Sequence, residues 1–195
     1  DEALGLVAEK LKATPADKIG AIAGDLSGAE EMFALKDLLT RFGAKSLDCR
    51  QSGDRLDPKL GRASYLFNTS IEGIEQADAI LLVGANPRIE ATVLNARIRK
   101  RWRSAPTKIG VVGPKVDLAY GYDYLGAGPD ILAEIADGKH PFAEVLKAAA
   151  KPMVIVGEGA FARPDGLAVL SLAARILLAA SAGKEASWNG FNVLH

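Results

Sequence analysis

The stretch that decides the fold is Ala79-Ile80-Leu81-Leu82-Val83-Gly84-Ala85-Asn86-Pro87. Five consecutive apolar residues without polar alternation are typical of a parallel β-strand that is covered on both faces. Gly84 predicts a tight turn directly after the strand, and Pro87 predicts the first turn of a helix. This stretch therefore indicates one strand–turn–helix unit of an α/β protein.

The same pattern recurs on both sides of this stretch. We predict five strands, each a short apolar run followed by a turn and a helical segment: Lys18–Ala23, Lys45–Cys49, Ala79–Val83, Lys108–Val112 and Met153–Val156. Alternating strands and helices joined by right-handed crossovers place helices on both faces of one sheet. The expected fold is α/β, an open, mostly parallel, Rossmann-like sheet in a single domain over residues 1–195.

Other segments predict local structure. Residues 51–62 hold Gly, Pro and charged residues and predict an exposed loop. Residues 116–128, with tyrosines at 120, 122 and 124, predict an ordered loop across one end of the sheet. Residues 184–195 end without a cap or a polar tail, so we expect them to begin a segment of a longer chain. Helical spacing after Pro87 predicts an inward face made of Ile89, Val93, Ala96 and Trp102.

Composition narrows the classes of function. The chain has 195 residues with 24 Lys plus Arg against 24 Asp plus Glu, so its total charge attracts neither nucleic acid nor an anionic membrane. Cys49 is the only cysteine, which excludes a cysteine cage for zinc or an iron–sulfur cluster within this sequence. Residues 166–181 predict a long, buried helix. The most apolar helical stretch of the chain, Leu167–Ala182, contains Arg175 and is too short to span a bilayer, so no direct membrane insertion is expected.

Glycine follows three of the predicted strands, at Gly84, Gly113 and Gly157. Glycine at such positions either lets a phosphate approach the backbone or simply makes the turn. Residues 157–162 also match the dinucleotide pattern G-x-G-x-x-A, with Gly159 as its second glycine. Two features argue against a dinucleotide there: Glu158 would repel a phosphate, and Arg163-Pro164 would delay the following helix.

One dense basic run is present, made of Arg97, Arg99, Lys100, Arg101 and Arg103. Cations in the last turns of a helix complement its dipole, and five charges at this spacing point in several directions. The run therefore predicts a solvated face or an inter-domain contact, with nucleic-acid binding as the weaker alternative.

No catalytic or metal-binding pattern is present in the sequence. His140 and His195 are the only histidines, and neither has a cysteine or histidine at ligand spacing. There is no P-loop, no G-x-S-x-G elbow and no carboxylate pair that could act as general acid and base. We expect neither catalytic residues nor a metal site.

Several longer motifs identify a resemblance when they are taken together: Tyr65–Glu75, Leu81–Arg88, Leu94–Lys100, Tyr122–Gly126, His140–Phe142 and Lys151–Val154. From about Tyr65 onward the chain closely resembles the large iron–sulfur subunit of respiratory complex I. This is the G subunit of bacteria and the 75 kDa subunit of mitochondria.

The resemblance implies a fold for the chain and an evolutionary origin for its glycine turns. Members of that family bind iron–sulfur clusters through an N-terminal region rich in cysteine, which a chain with one cysteine lacks. The remaining part resembles the C-terminal, molybdopterin oxidoreductase-like domain. In related molybdenum enzymes, G-x-N-P helps to hold a guanine dinucleotide, which maps to Gly84, Asn86 and Pro87. We expect these residues, with Gly157 and Gly159, to be vestigial turns without a cofactor, and Asn86 to cap the next helix.

The resemblance also implies a function. We expect a non-catalytic scaffold domain in the peripheral arm of the proton-pumping NADH:quinone oxidoreductase, packed against other peripheral-arm subunits and its own N-terminal iron–sulfur domain. The arm would lie at the cytoplasmic face of a bacterial inner membrane, or on the matrix side in mitochondria. The alternative is a module that binds a nucleotide or a pterin dinucleotide at the carboxyl ends of the strands. We expect no nucleic-acid partner.

Overall fold

The computed structural model describes residues 1–24, 26–49, 53 and 56–194. Four residues of the predicted loop over 51–62 (51, 52, 54 and 55) and His195 lie outside the described residues. The chain forms two compact units, residues 1–53 and residues 54–195. The sequence predicted one domain over residues 1–195, and the two units carry separate sheets.

The first unit is small and has few buried side chains. It consists of helix α1 (Glu2–Ala13), strand β1 (Gly20–Ile22), helix α2 (Ala29–Arg41) and strand β2 (Ser46–Asp48). The two strands pair in parallel, and a small apolar cluster forms around Ile19, Leu39 and Ala44. The prediction that the first two apolar runs belong to the main sheet is therefore wrong, because β1 and β2 pair with each other.

The second unit contains the main sheet. Its strands are β3 (Ala79–Val83), β4 (Lys108–Val112), β5 (Asp123–Gly126), β6 (Pro152–Gly157) and β7 (Phe191–Leu194). Its helices are α3 (Ser70–Gly73), α4 (Pro87–Glu90), α5 (Thr92–Ser104), α6 (Pro129–Ala136), α7 (Pro141–Ala148), α8 (Glu158–Phe161) and α9 (Gly166–Ser181). Short 3-10 turns occupy Pro58–Leu60, Arg62–Ser64 and Ile74–Gln76.

The five strands are all parallel and have the order β5-β4-β3-β6-β7. The chain therefore starts in the middle at β3, moves outward through β4 and β5, and then crosses back to β6 and β7. Such a reversal creates a topological switch point, here between β3 and β6, where ligands of α/β proteins usually bind. The predicted open parallel sheet is confirmed for this unit.

Both faces of the sheet are covered by apolar side chains, as expected for continuous apolar strands. Leu81 and Val83 of β3 face a core built largely from α6, α7 and α9. Ile80 and Leu82 face the opposite core, which includes Ile98 of α5 and other buried apolar residues. The predicted placement of helices on both faces is therefore confirmed.

One prediction about the sheet edges is wrong, and a second edge strand was not predicted. Residues 123–126, predicted as part of a loop, form edge strand β5 beside β4, with a register shift between Val111 and Val112. Residues 191–194, for which no strand was predicted, form edge strand β7 beside β6. That residues 184–195 begin a segment of a longer chain stays a prediction. Both strands have only four residues, so neither shows enough apolar pattern to be recognised in isolation.

The predicted inward face of the helix after Pro87 is also wrong. Ile89 and Val93 are 78% and 66% exposed, whereas Leu94 and Ile98 are buried. The helical stretch breaks at Ala91, where φ is −150°, so α4 and α5 are separate helices. The break resets the helical phase, and the spacing that starts from Pro87 does not continue into α5.

The described part of the chain contains no helix that is both long and apolar enough to cross a membrane.

Candidate functional site

The glycine turns after β3, β4 and β6 lie together at the carboxyl edge of the sheet, because these three strands are neighbours. Gly84 sits at the switch point with φ +56°, and its N–H donates to the Val112 carbonyl at 2.8 Å. The left-handed backbone at Gly84 disfavours any residue with a Cβ. This edge is therefore the candidate site that the fold itself indicates.

The space beside these glycines is filled by the chain itself. A Cβ added to Gly84 would lie 2.6 Å from the Cβ of Ala160. A Cβ added to Gly157 would lie 2.6 Å from the Gly84 carbonyl oxygen and 2.7 Å from the Ala85 Cα. Both glycines are therefore required for the contact between the β3 turn and the β6 turn.

Gly159, the second glycine of the dinucleotide pattern, does not share this close contact. A Cβ added there would lie 3.6 Å from the Gly84 carbonyl oxygen, which is an ordinary van der Waals distance. Gly159 lies in α8, which starts directly after β6 with Glu158 in its first turn. The prediction that Arg163-Pro164 delays the helix is correct for α9 only, because the four-residue α8 precedes it.

The resemblance suggests a pterin dinucleotide as the ligand of these glycine turns. A diphosphate held by such turns must approach the glycine backbone closely, which is why glycine is used there. Ala160 occupies that position at Gly84, and Gly84 with Ala85 occupies it at Gly157. The residues present at these two turns do not fit the diphosphate of a dinucleotide.

Asn86 precedes α4, but the predicted side-chain cap is wrong. Its side chain makes no capping hydrogen bond, and instead its backbone N–H donates to Glu90 Oε1 at 3.0 Å. The Asn86 carbonyl accepts from the N–H groups of Ile89 and Glu90, at 3.0 and 2.9 Å. Pro87 opens α4 as predicted. The Asn86 Oδ1 atom is buried and has no hydrogen-bond partner among the described residues.

An ion pair stands next to this turn. Arg88 Nη1 binds Asp117 Oδ2 and also donates to the Asp117 carbonyl at 3.3 Å. Two donors lower the pKa of the Asp117 carboxyl, first the Ala119 N–H and then the Arg88 guanidinium. The contact attaches α4 to the loop after β4.

The basic run of α5 divides into inward and outward residues. Arg97 pairs with Glu75, and Arg101 Nε donates to the Ala77 carbonyl at 2.6 Å. The side chains of Arg99 and Arg103, in contrast, are exposed. The predicted solvated face is therefore only part of the arrangement, because four of the five cations, Arg97, Arg99, Lys100 and Arg101, make intramolecular contacts.

Sequence reasoning missed the polar contact that covers the outer edge of β7. Asn192 is fully buried, and its Oδ1 accepts from the Thr69 N–H at 3.0 Å and from the Thr69 hydroxyl at 3.1 Å. Asn68 Nδ2 donates to the Phe191 carbonyl at 2.6 Å. The Asn68-Thr69 motif was visible in the sequence, but its partner lies 123 residues away.

The remaining candidate residues are dispersed. His140 is the N-cap of α7, and its Nδ1 accepts from the Phe142 N–H at 3.1 Å. Cys49 is an exposed free thiol. Among the residues with described positions, no group of three or more His, Cys, Asp or Glu side chains could hold a metal ion.

Comparison with known proteins identifies relatives of this chain. It is 44% identical over 193 residues to NADH dehydrogenase [ubiquinone] iron-sulfur protein 1, mitochondrial, of Solanum tuberosum, covering 99% of this chain and 26% of that protein. It is 45% identical over 194 residues to the G subunit of NADH-quinone oxidoreductase from Rickettsia conorii, covering 100% of this chain and 29% of that protein. The predicted resemblance is confirmed, and the chain spans less than a third of the length of these relatives.

A solved structure supports the fold. The X-ray structure of the formyltransferase/hydrolase complex (FhcABCD) from Methylorubrum extorquens with methylofuran contains a chain that matches with a TM-score of 0.64. The match covers 99% of this chain and 56% of that one at 22% identity, so the likeness concerns the fold alone. The sequence also matches the molybdopterin oxidoreductase family over residues 1–195. The chain therefore belongs to the molybdopterin oxidoreductase family.

Proposed function

We propose that this chain is a structural, non-catalytic part of a proton-pumping NADH:quinone oxidoreductase. Two of its relatives, with 44% and 45% identity, carry the names of components of that enzyme. The observation that carries the structural role is the closed edge of the sheet, where Ala160 fills the space beside Gly84. A family fold whose usual ligand edge is filled by its own turns serves through its surfaces.

We also propose where the chain lies in the assembly. The chain belongs to the peripheral arm, at the cytoplasmic face of a bacterial inner membrane or on the matrix side in mitochondria. It packs against other arm subunits and against the cysteine-rich region of its own subunit. Iron–sulfur clusters belong to that region, and this chain holds none. Nucleic acid is not a partner.

Purification of the assembled enzyme from the source organism tests this function. The chain should co-purify in a constant ratio with the other subunits, and acid extraction should release no pterin from it. Two results would contradict the proposal. One is a chain that migrates apart from the NADH:quinone oxidoreductase, and the other is a pterin recovered in equal amount with the chain.

The alternative function, a nucleotide-binding module, is favoured by one observation. Asn86 Oδ1 is buried at the switch point without a partner among the described residues, and a ligand amide or amino group could satisfy it. Titration calorimetry with GTP, NADH and a molybdopterin guanine dinucleotide separates the two functions. Binding tighter than roughly 10 μM, about −7 kcal/mol, would favour the module.

A further inference from the structure

A shallow groove lies along the outer side of helix α5. It has a volume of about 430 Å³ and is lined by Ala96, Arg99, Lys100, Arg103 and Ser104. Arg99, Lys100 and Arg103 are the outward part of the basic run, and the side chain of Lys100 is 63% exposed. We call this surface the basic groove. The groove is separate from the closed sheet edge.

The carboxylate of Glu75 neutralises only part of the positive charge. Lys100 Nζ lies 2.7 Å from Glu75 Oε2, and Arg97 binds the other oxygen of the same carboxylate. These two cations, Lys100 first, lower the pKa of Glu75 and keep it ionised. One carboxylate thus serves two cations, and the positive charge of Arg99 and Arg103 remains in excess.

This arrangement does not stabilise the helix. Arg99 and Arg103 stand four residues apart on one face, and like charges at that spacing destabilise a helix. The helix dipole favours cations in the last turn only, which includes Arg103 but not Arg99. Arg99 Nε donates to the Ala119 carbonyl at 3.2 Å, which fixes the side chain over the groove without neutralising it. A partner of opposite charge would remove the repulsion.

We propose that the basic groove binds a carboxylate-rich segment of a neighbouring subunit. This inference rests on the proposed function, because it names a surface by which the chain would join the assembly. Charge complementarity to aspartate and glutamate side chains determines the class of partner.

The same residues argue against nucleic acid as the occupant. Nucleic-acid grooves combine cations with aromatic rings on which bases stack. Trp102 is the aromatic residue of the run, and its ring instead packs near Tyr120, with ring centroids 6.4 Å apart, and beside Gly121. The chain as a whole carries no net positive charge to attract a phosphate backbone.

Zero-length cross-linking of the wild-type assembly tests the groove directly. A carbodiimide joins an amine to a carboxylate in contact with it, so the cross-links of the Lys100 amine identify the carboxylates that it contacts. The link between Lys100 and Glu75 is the internal control, because that pair is 2.7 Å apart. In the assembled enzyme, we expect peptides that join Lys100 to an Asp or Glu of another subunit. Finding only the Lys100–Glu75 link would overturn the inference.

Charge reversal supplies the second readout. The triple variant Arg99→Glu, Lys100→Glu and Arg103→Glu should reduce the amount of chain in the assembly at least tenfold, measured by native electrophoresis. The matched control reverses Lys10, Lys12 and Lys18, which are exposed, with Lys10 and Lys12 in the last turn of α1. The control should assemble normally. Equal assembly of both variants would contradict the inference.

Further outcomes separate the inference from the function on which it rests. Wild-type chain that is absent from the enzyme refutes both. Wild-type chain that assembles, while groove reversal has no effect, refutes the groove alone. Salt-sensitive binding of the wild-type chain to a short duplex DNA, lost in the groove variant, would assign the surface to nucleic acid instead. The wild-type cross-link decides the case if the triple variant does not fold.

Discussion

The Tyr120 hydroxyl donates a 2.8 Å hydrogen bond to Asn95 Oδ1, and both side chains are buried. Asn95 lies in α5, and its Nδ2 donates to the Leu118 carbonyl at 3.2 Å. The two residues therefore join the helix to the loop between β4 and β5. This polar contact lies beside an apolar core, where an unpaired group would be costly.

Removing the Tyr120 hydroxyl should lower the stability of the folded chain. We expect Tyr120→Phe to lower the free energy of unfolding by about 1–3 kcal/mol, because Asn95 Oδ1 then stays buried without a donor. Urea unfolding followed by circular dichroism measures the change. Tyr124→Phe is the control, since Tyr124 is 42% exposed on an edge strand and should change stability by less than about 0.5 kcal/mol. Equal stability of Tyr120→Phe and wild type would contradict the role of this hydrogen bond.

The buried phenol of Tyr120 should make the stability of the chain sensitive to alkaline pH. Burial raises the pKa of Tyr120 above its ordinary value of 10.0. Below pH 10 the phenol is neutral in both the folded and the unfolded chain, so its full contribution to stability is present. Above pH 10 the unfolded chain loses this proton first, and stability falls by up to about 1.4 kcal/mol per pH unit until the folded pKa is reached.

The measurement is the free energy of unfolding between pH 8 and pH 11. Tyr120→Phe should show a shallower decline than wild type above pH 10, because the variant cannot release this proton. Parallel curves for the two proteins would show that Tyr120 does not contribute to the alkaline transition.

The sequence predicted the interior of the main sheet well, because burial on both faces leaves a continuous apolar run. The predicted bounds of β3 and β4 match the structure, as do those of helix α9. The edge strands were missed because their pairing depends on contacts distant in sequence. β5 contains Asp123 and Gly126 and is a strand only through its hydrogen bonds to β4.

The candidate site, too, could be predicted from the sequence only in part. Gly84 and Gly157 were recognised as turn residues, and their place at the sheet edge followed from the fold. The contact of Gly84 with Ala160 could not be read from the sequence, because no pattern indicates that α8 begins directly after β6. The buried face of α5 was predicted wrongly for a similar reason. Alanine has a high helix propensity, so the sequence does not indicate that the helical stretch breaks at Ala91.

Asn192 should be sensitive to substitution because three polar atoms of other residues pair with its side chain. We expect Asn192→Leu, which roughly conserves volume, to lower the free energy of unfolding by about 1–3 kcal/mol. The change leaves the Thr69 N–H and the Thr69 hydroxyl without their Asn192 acceptor, whereas the Gly190 carbonyl keeps the Val154 N–H at 2.9 Å. Thr69→Val removes only the hydroxyl and should cost less than Asn192→Leu. If the two variants unfold at the same urea concentration as wild type, Asn192 does not hold the segment over β7.

The three glycines at the switch point separate internal packing from ligand binding. Gly84→Ala and Gly157→Ala should each destabilise the chain by about 2 kcal/mol or more, because the new Cβ would lie 2.6 Å from Ala160 Cβ or from the Gly84 carbonyl oxygen. Gly159→Ala is the matched control. Its Cβ would meet nothing closer than 3.6 Å, and alanine favours the helix by about 0.5–1 kcal/mol, so stability should stay equal or rise. Urea unfolding of the three variants tests this order. A site kept open for a diphosphate would instead tolerate Gly157→Ala as well as Gly159→Ala in the ligand-free chain, and that result would reverse the assignment of these turns to internal packing. Gly84→Ala is strained in either case because of its positive φ.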